Sequence, residues 1–170
     1  VSISLETGGP ESLRPVLQRL VDAFPAEFYW AAQSSVGLVT AGFQPIRPLG
    51  SWVLVAVAPF PTVPDGLAFS DILSGAGSFA GRPFLVAPET AAMLQAAWGA
   101  LPPGVQLVDS VELVDAAWAA RPSWSIVPFE QLEPRWKVLR VDGVSPLDRL
   151  LDLPAYPLAL PIGIKGPPEL

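Results

Sequence analysis

The sequence predicts a two-lobed α/β protein with a hinge, its strands mostly parallel. Three observations carry that expectation. Residues 51–58, SWVLVAVA, form an unbroken apolar run rich in Val, the pattern of a strand buried on both faces. Between residues 84 and 127 short apolar runs alternate with helical patterns. That β-α-β-α-β series has the length that joins parallel strands by right-handed crossovers. The strand pattern at residues 124–127 is then followed by another, PRWKVLRVDG, with no helix between them. This break in rhythm predicts a return from one lobe to the other.

Each element follows in order. Residues 1–5 alternate polar and apolar, a short strand, and Thr7-Gly8-Gly9-Pro10 turns the chain, with Pro10 suited to a first helical position. Leu13, Val16, Leu17, Leu20, Val21 and Phe24 recur at helical spacing, giving an amphipathic helix ended at Pro25. Residues 27–32 and 36–40 read as strands. After the long apolar run, Pro59, Pro61 and Pro64 hold an extended crossing, and residues 67–74 read as a short helix stopped by Gly75. Strands are predicted at 84–87, 105–108 and 124–127. Helices are predicted at 88–98, stopped by Gly99, and at 109–120, where Asp109 and Glu112 fit a capping box. Residues 158–164 supply a last strand.

Composition narrows the function. At 170 residues the chain is one domain or two small lobes sharing a core. A net charge of −6 argues against nucleic acid, which needs clustered Lys and Arg. The one basic cluster, Arg135, Lys137 and Arg140, reads as the solvated face of a strand. Cys and His are both absent, which removes thiolate chemistry, the commonest general base and the commonest metal ligands. No GxSxG, P-loop or GxGxxG occurs, and no carboxylate pair stands in an acid/base arrangement. The chain is therefore expected to be non-catalytic, with no catalytic residues, no metal site and no cofactor. The longest uncharged stretches, residues 28–46 and 90–108, are interrupted by Gly, Pro or polar residues, so no membrane insertion is expected. No signal-peptide pattern opens the sequence. Charged residues are only 15% against roughly 25% in ordinary domains, as expected of a piece of a longer protein with an apolar patch covered by the rest.

Several stretches carry a family likeness. SSVGLVTAG, SWVLVAVAP, GLAFSDILSGAG, SWSIVPFEQLEPRWKVLRVDGVSPL and YPLALPIGI resemble, in turn, five segments of the type 2 periplasmic binding proteins, phosphate-type ABC-transporter receptors in particular. These are the strand before the hinge, the hinge strand, the short helix after the crossing, the return, and the last strand of lobe one. FPTVPDG, RPFLVAPETAAML and IVPFEQLEPRWKVLRVDG are similar to the solute-binding-like region ahead of the catalytic domain in CapA-type proteins of poly-γ-glutamate capsule synthesis.

The resemblance implies one module over residues 1–170, with lobe one at 1–58 plus 138–170 and lobe two at 59–137. It implies work outside the cytoplasm and capture of a small solute, anions included, or of a polymer end between the lobes. The partners it implies are a membrane transporter or an adjoining catalytic domain. In the CapA-like alternative the chain is an accessory domain that binds no free solute. Residues 32–36 leave no room for the helix that full binding proteins place there, so lobe one is expected to be reduced.

In such folds ligands sit at the carboxyl ends of parallel strands, against helix N-termini whose free N–H groups favour anions. The candidates are Thr7, Gly8 and Gly9 before the first helix, Glu89 and Thr90 at the next such place, and Asp109 and Ser110 at a third. Arg82 is the basic residue nearest in sequence to the second. Ser34, Ser35 and Thr62 are the loop hydroxyls expected at the cleft mouth. All have ordinary structural explanations: helix caps, worth about 0.5–2 kcal/mol each, or plain loop residues. Trp30, Trp52, Trp98 and Trp118 are expected to pack in the core rather than form a stacking platform.

Overall fold

The structure, a computed structural model, describes residues 2–5, 13–31, 36–40 and 47–165. The chain opens with β1 (Ser2–Leu5), α1 (Arg14–Ala23), β2 (Tyr29–Trp30) and β3 (Val36–Thr40). β2 and β3 lie parallel to β1 on its two sides. α1 closes before Pro25, and Trp30 Nε1 donates to Gln18 Oε1 to tie β2 to the helix.

The long apolar run becomes β4 (Arg47–Pro59), a strand of 13 residues spanning about 40 Å. Its first half pairs antiparallel with β11 (Ala159–Lys165), which pairs antiparallel with β3. The ladder with β11 ends at Val53, and the Leu54 N–H still donates to the Leu158 carbonyl. From Leu54 onward β4 pairs instead with β8 (Trp124–Pro128), and from Val57 also with β9 (Trp136–Val138). One strand thus serves two groups of strands and changes partners at Val53–Leu54.

Beyond β4 come β5 (Gly66–Leu67), α2 (Phe69–Ser74), β6 (Phe84–Val86), α3 (Pro88–Trp98), β7 (Val105–Leu107) and α4 (Leu113–Ala119), followed by β8 and β9. The order is β4-β8-β6-β7, with β8, β6 and β7 mutually parallel, the predicted β-α-β-α-β unit. Strand alternation divides its apolar side chains between two faces. Leu54, Ala56, Phe84, Val86, Trp124 and Ile126 pack with Ala91, Met93 and Leu94 of α3. Val55, Val57, Leu85 and Val127 pack with Leu113 and Ala117 of α4. The sheet is covered on both sides, which is why residues 54–58 are wholly buried. Pro88 opens α3, and Gly99 ends it in the left-handed conformation (φ 79), its N–H reaching the Gln95 carbonyl. Among the described residues no helix is long and apolar enough to cross a membrane.

Several expectations need correction. The helix predicted over 109–120 is only Leu113–Ala119. No capping box forms: the Asp109 carboxylate accepts the Val111 N–H at 3.1 Å, and Asp109 to Glu112 make a turn. Asp, as a turn former, bonds its own local backbone and delays the helix. The stretch PRWKVLRVDG is two strands rather than one: β9 joins β4, whereas β10 (Arg140–Val141) pairs with β5 as a separate parallel ribbon. Leu67 belongs to β5, so α2 starts later than predicted. The strand predicted over 27–32 is Tyr29–Trp30 within the described residues.

Candidate functional site

Register determines where a ligand would meet these strands. β8 runs antiparallel to β4 and ends at Pro128, abreast of Leu54, with β6 parallel beside it. β3 runs the opposite way. Its last residue, Thr40, is abreast of Ile162 on β11, and Ile162 is abreast of Gly50 on β4. Two sets of strands therefore aim their carboxyl ends at one another across residues 50–54 of β4. α3, which follows β6, lies against both β8 and β3. This is the place where open α/β sheets receive ligands.

Three buried polar atoms without a hydrogen-bond partner belong to residues around this crossing: Thr90 Oγ1, Trp52 Nε1 and Tyr156 Oη. Thr90 occupies the third position of α3 and is 1% exposed. The residue before the helix is Ala87, which offers no side-chain cap, and the Thr90 hydroxyl caps nothing. Trp52 pairs with Leu160 just before β4 changes partners, on the face it shares with Leu54. Tyr156 precedes β11, and its carbonyl accepts the Ala159 N–H. Trp52 and Tyr156 belong to the same apolar cluster as the buried residues of α3.

A buried polar group with no partner costs about 1–3 kcal/mol, so three of them near one crossing are a chemical feature in their own right. An indole N–H only donates. Burial pushes the Tyr156 phenol above its ordinary value of 10.0, so it stays protonated at neutral pH and keeps an O–H to donate. Each of the three is a neutral group with a hydrogen to donate.

The other candidates fall in different places. Glu89 lies beside Thr90 at the start of α3 and is exposed; at that position its carboxylate opposes an anion approaching the helix end. Thr62 lies beyond the far end of β4, its N–H donating to the Pro59 carbonyl, roughly 17 Å or more along the strand from Leu54. The structure does not bring Thr62 together with Thr90. Thr7, Gly8, Gly9, Ser34 and Ser35 lie outside the described residues. Asp109 and Ser110 lie in the turn that precedes α4 rather than in its first turn.

The basic trio is engaged in ion pairs. Arg135 meets Asp115 and Glu133, Lys137 meets Asp65 at 2.6 Å, and Arg140 meets Asp148 at 2.9 Å. Lys137 also donates to the Thr62 and Val63 carbonyls, pinning the crossing loop, and its ammonium holds the Asp65 carboxyl below its ordinary value. Among the described residues no group of three or more His, Cys, Asp or Glu side chains could hold a metal ion. Of the four Trp residues assigned to the core, Trp98 meets Phe69 edge to face at 5.7 Å, while Trp118 and Trp30 carry Arg121 and Arg14 over their rings.

No protein-family model matches this sequence, and no curated protein matches it. Solved structures do. An ABC-type phosphate transport receptor from Vibrio cholerae superposes with a TM-score of 0.74 at 11% identity, over 96% of this chain and 85% of that one. PstS from Borrelia burgdorferi gives 0.63 at 11% identity, over 97% and 86%. The fold is that of the type 2 periplasmic binding proteins. At this level of identity the likeness carries the fold alone.

Trp52 and Tyr156 are the candidates that sequence reasoning did not single out. Trp52 reads as one more apolar residue of a buried strand, and Tyr156 stands in a Pro-rich stretch with no periodicity. Only the register shows that both flank the change of partners.

Proposed function

We propose that the chain is a non-catalytic solute-binding module that captures a small anion between two lobes. The observation that carries this reading is Thr90, a wholly buried hydroxyl with no partner in the first turn of α3, at the meeting of strand carboxyl ends. Free N–H groups of the helix end add donors and a favourable dipole. The proposed lobes are residues 1–58 with 138–170, and 59–137; the change of β4 partners at Val53–Leu54 supports a hinge within that strand. Thr7, Gly8, Gly9, Ser34 and Ser35 are proposed to line the cleft from the first lobe and Glu89 its edge, while Thr62, beyond the far end of β4, lies away from it. Work outside the cytoplasm and delivery to a membrane transporter complete the reading, and the phosphate-transport neighbours support it.

A second reading has the chain as an accessory domain of a CapA-like protein that docks on a catalytic partner. Leu147 and Leu150, 60% and 93% exposed, favour it. Thermal unfolding against phosphate, sulfate, sugars, amino acids and γ-glutamyl peptides separates the two. A ligand at one hundred times its dissociation constant adds about 2.7 kcal/mol of stability, several degrees for a domain of this size. A shift with phosphate or sulfate supports the first reading. No shift with any member from a folded sample supports the second.

A further inference from the structure

A second concave place lies at the opposite end of β4. Arg82 and Pro122 each lie two residues before the matched pair Phe84 and Trp124, and the Trp124 N–H donates to the Pro83 carbonyl between them. These two segments and residues 61–64 line an open, shallow pocket of about 380 Å³, made by Arg82, Arg121, Pro61, Val63, Pro64 and Pro122 along with Thr62. That volume is in the range that holds small organic ligands.

Its charge stands out in an acidic protein. Of the five basic residues from Arg82 to Arg140, Arg135, Lys137 and Arg140 are ion-paired. Arg82 and Arg121, which share the pocket, have no carboxylate partner among the described residues. Both are held by aromatic rings instead. The Arg82 guanidinium lies 5.1 Å from the Phe79 ring centre, and that of Arg121 lies 4.8 Å from Trp118, with its Nε donating to the Trp118 carbonyl. Stacking limits the rotamers of each arm, so less freedom is lost when an anion is gripped, and a guanidinium fork matches a carboxylate.

We propose that this pocket is a second binding site, separate from the inter-lobe cleft, for a small organic carboxylate. Arg82 and Arg121 hold the carboxylate, and the apolar body rests on Pro61, Val63, Pro64 and Pro122. The proline walls are rigid and apolar, which suits a carboxylate on a hydrocarbon body better than a fully hydrated inorganic ion.

Trp118 provides the readout, because its indole N–H donates to the Arg135 carbonyl while Arg121 lies over its ring. That resonance is assigned by its loss in Trp118→Phe and followed while hexanoate, hexanamide or inorganic phosphate is added. Hexanoate is expected to shift it saturably and hexanamide to leave it in place, with phosphate acting more weakly than hexanoate. Arg82→Gln and Arg121→Gln should each weaken hexanoate about tenfold. Arg149→Gln, which removes the same charge elsewhere on the surface, and Thr90→Val, at the cleft, should leave it unchanged. An equal response to hexanamide, a stronger one to phosphate, none to hexanoate, or no loss in either Arg variant would overturn the proposal.

Discussion

Phe84 and Trp124 stack face to face, ring centroids 4.1 Å apart at 11°, as the first matched pair of the parallel β6–β8 ladder. Both are almost fully buried, and Phe79 tilts against the same indole at 5.9 Å. Cross-strand pairs of this kind fix register, since a slip of either strand by one residue would send its ring to the α4 face and break the stack. Trp124→Ala is expected to cost about 3–5 kcal/mol in denaturant unfolding. A double-mutant cycle with Phe84→Leu should return a coupling of about 0.5–1.5 kcal/mol. Additive effects would show that the stack contributes only buried area.

Asp142 caps a helix distant in sequence. Its carboxylate accepts the Phe69 N–H at 3.0 Å at the start of α2, where Ala68 offers no cap, while its own φ of 50 lies in the left-handed region. Asp142→Ala should therefore destabilise by about 1–2 kcal/mol through loss of the cap, with added strain at that φ. Asp142→Asn keeps an acceptor and tolerates the conformation, so it should come close to wild type in the same unfolding assay.

Acid sensitivity should trace in part to Asp148. Its two oxygens take both arms of Arg140 at 2.9 Å, and Oδ2 also accepts the Ser145 N–H at 3.1 Å. The Arg140 guanidinium, then that backbone N–H, hold the carboxyl below its ordinary value of 3.8. A carboxyl lowered in the folded state gives stability that is present above its unfolded value and is lost as pH falls through the folded one. Unfolding followed from pH 6 to pH 2 should show this loss below about pH 4. Asp148→Asn should flatten that limb, and an unchanged slope would show that the pair adds nothing.

The sequence announces the elements whose signal is local. Residues 51–58 read as doubly buried because the run is almost wholly apolar, and the structure buries 54–58 of it while Ser51 is exposed; α3 is bracketed by Pro88 and Gly99. Its errors come from partners distant in the chain. Nothing near Leu139 shows that its N–H will go to Ala56 and so divide one strand pattern into β9 and β10. The Asp109–Glu112 spacing fits a capping box, yet Asp109 bonds to Val111 instead. Among site residues, Thr90 is legible as a residue type at a helix start, but its burial without a partner is a tertiary fact. Trp52 and Tyr156 carry no local sign at all. Arg82 is visible as a charge, though not its approach to Arg121, which depends on β6 lying beside β8.

Thr90→Val removes the hydroxyl and keeps the shape. A buried oxygen without a partner is a liability in the empty protein, so the variant is expected to be as stable as wild type or more so, by up to about 1–3 kcal/mol. A loss of stability in Thr90→Val would show that the hydroxyl has a partner in the folded protein.

The most direct test of the cleft reading is calorimetric titration of inorganic phosphate into wild type and Thr90→Val under identical buffer and salt. The account predicts saturable one-site binding to wild type and binding at least about tenfold weaker in the variant, the loss expected for one hydrogen bond to an anion. Absence of binding to wild type, or equal affinity in the two proteins, would contradict it.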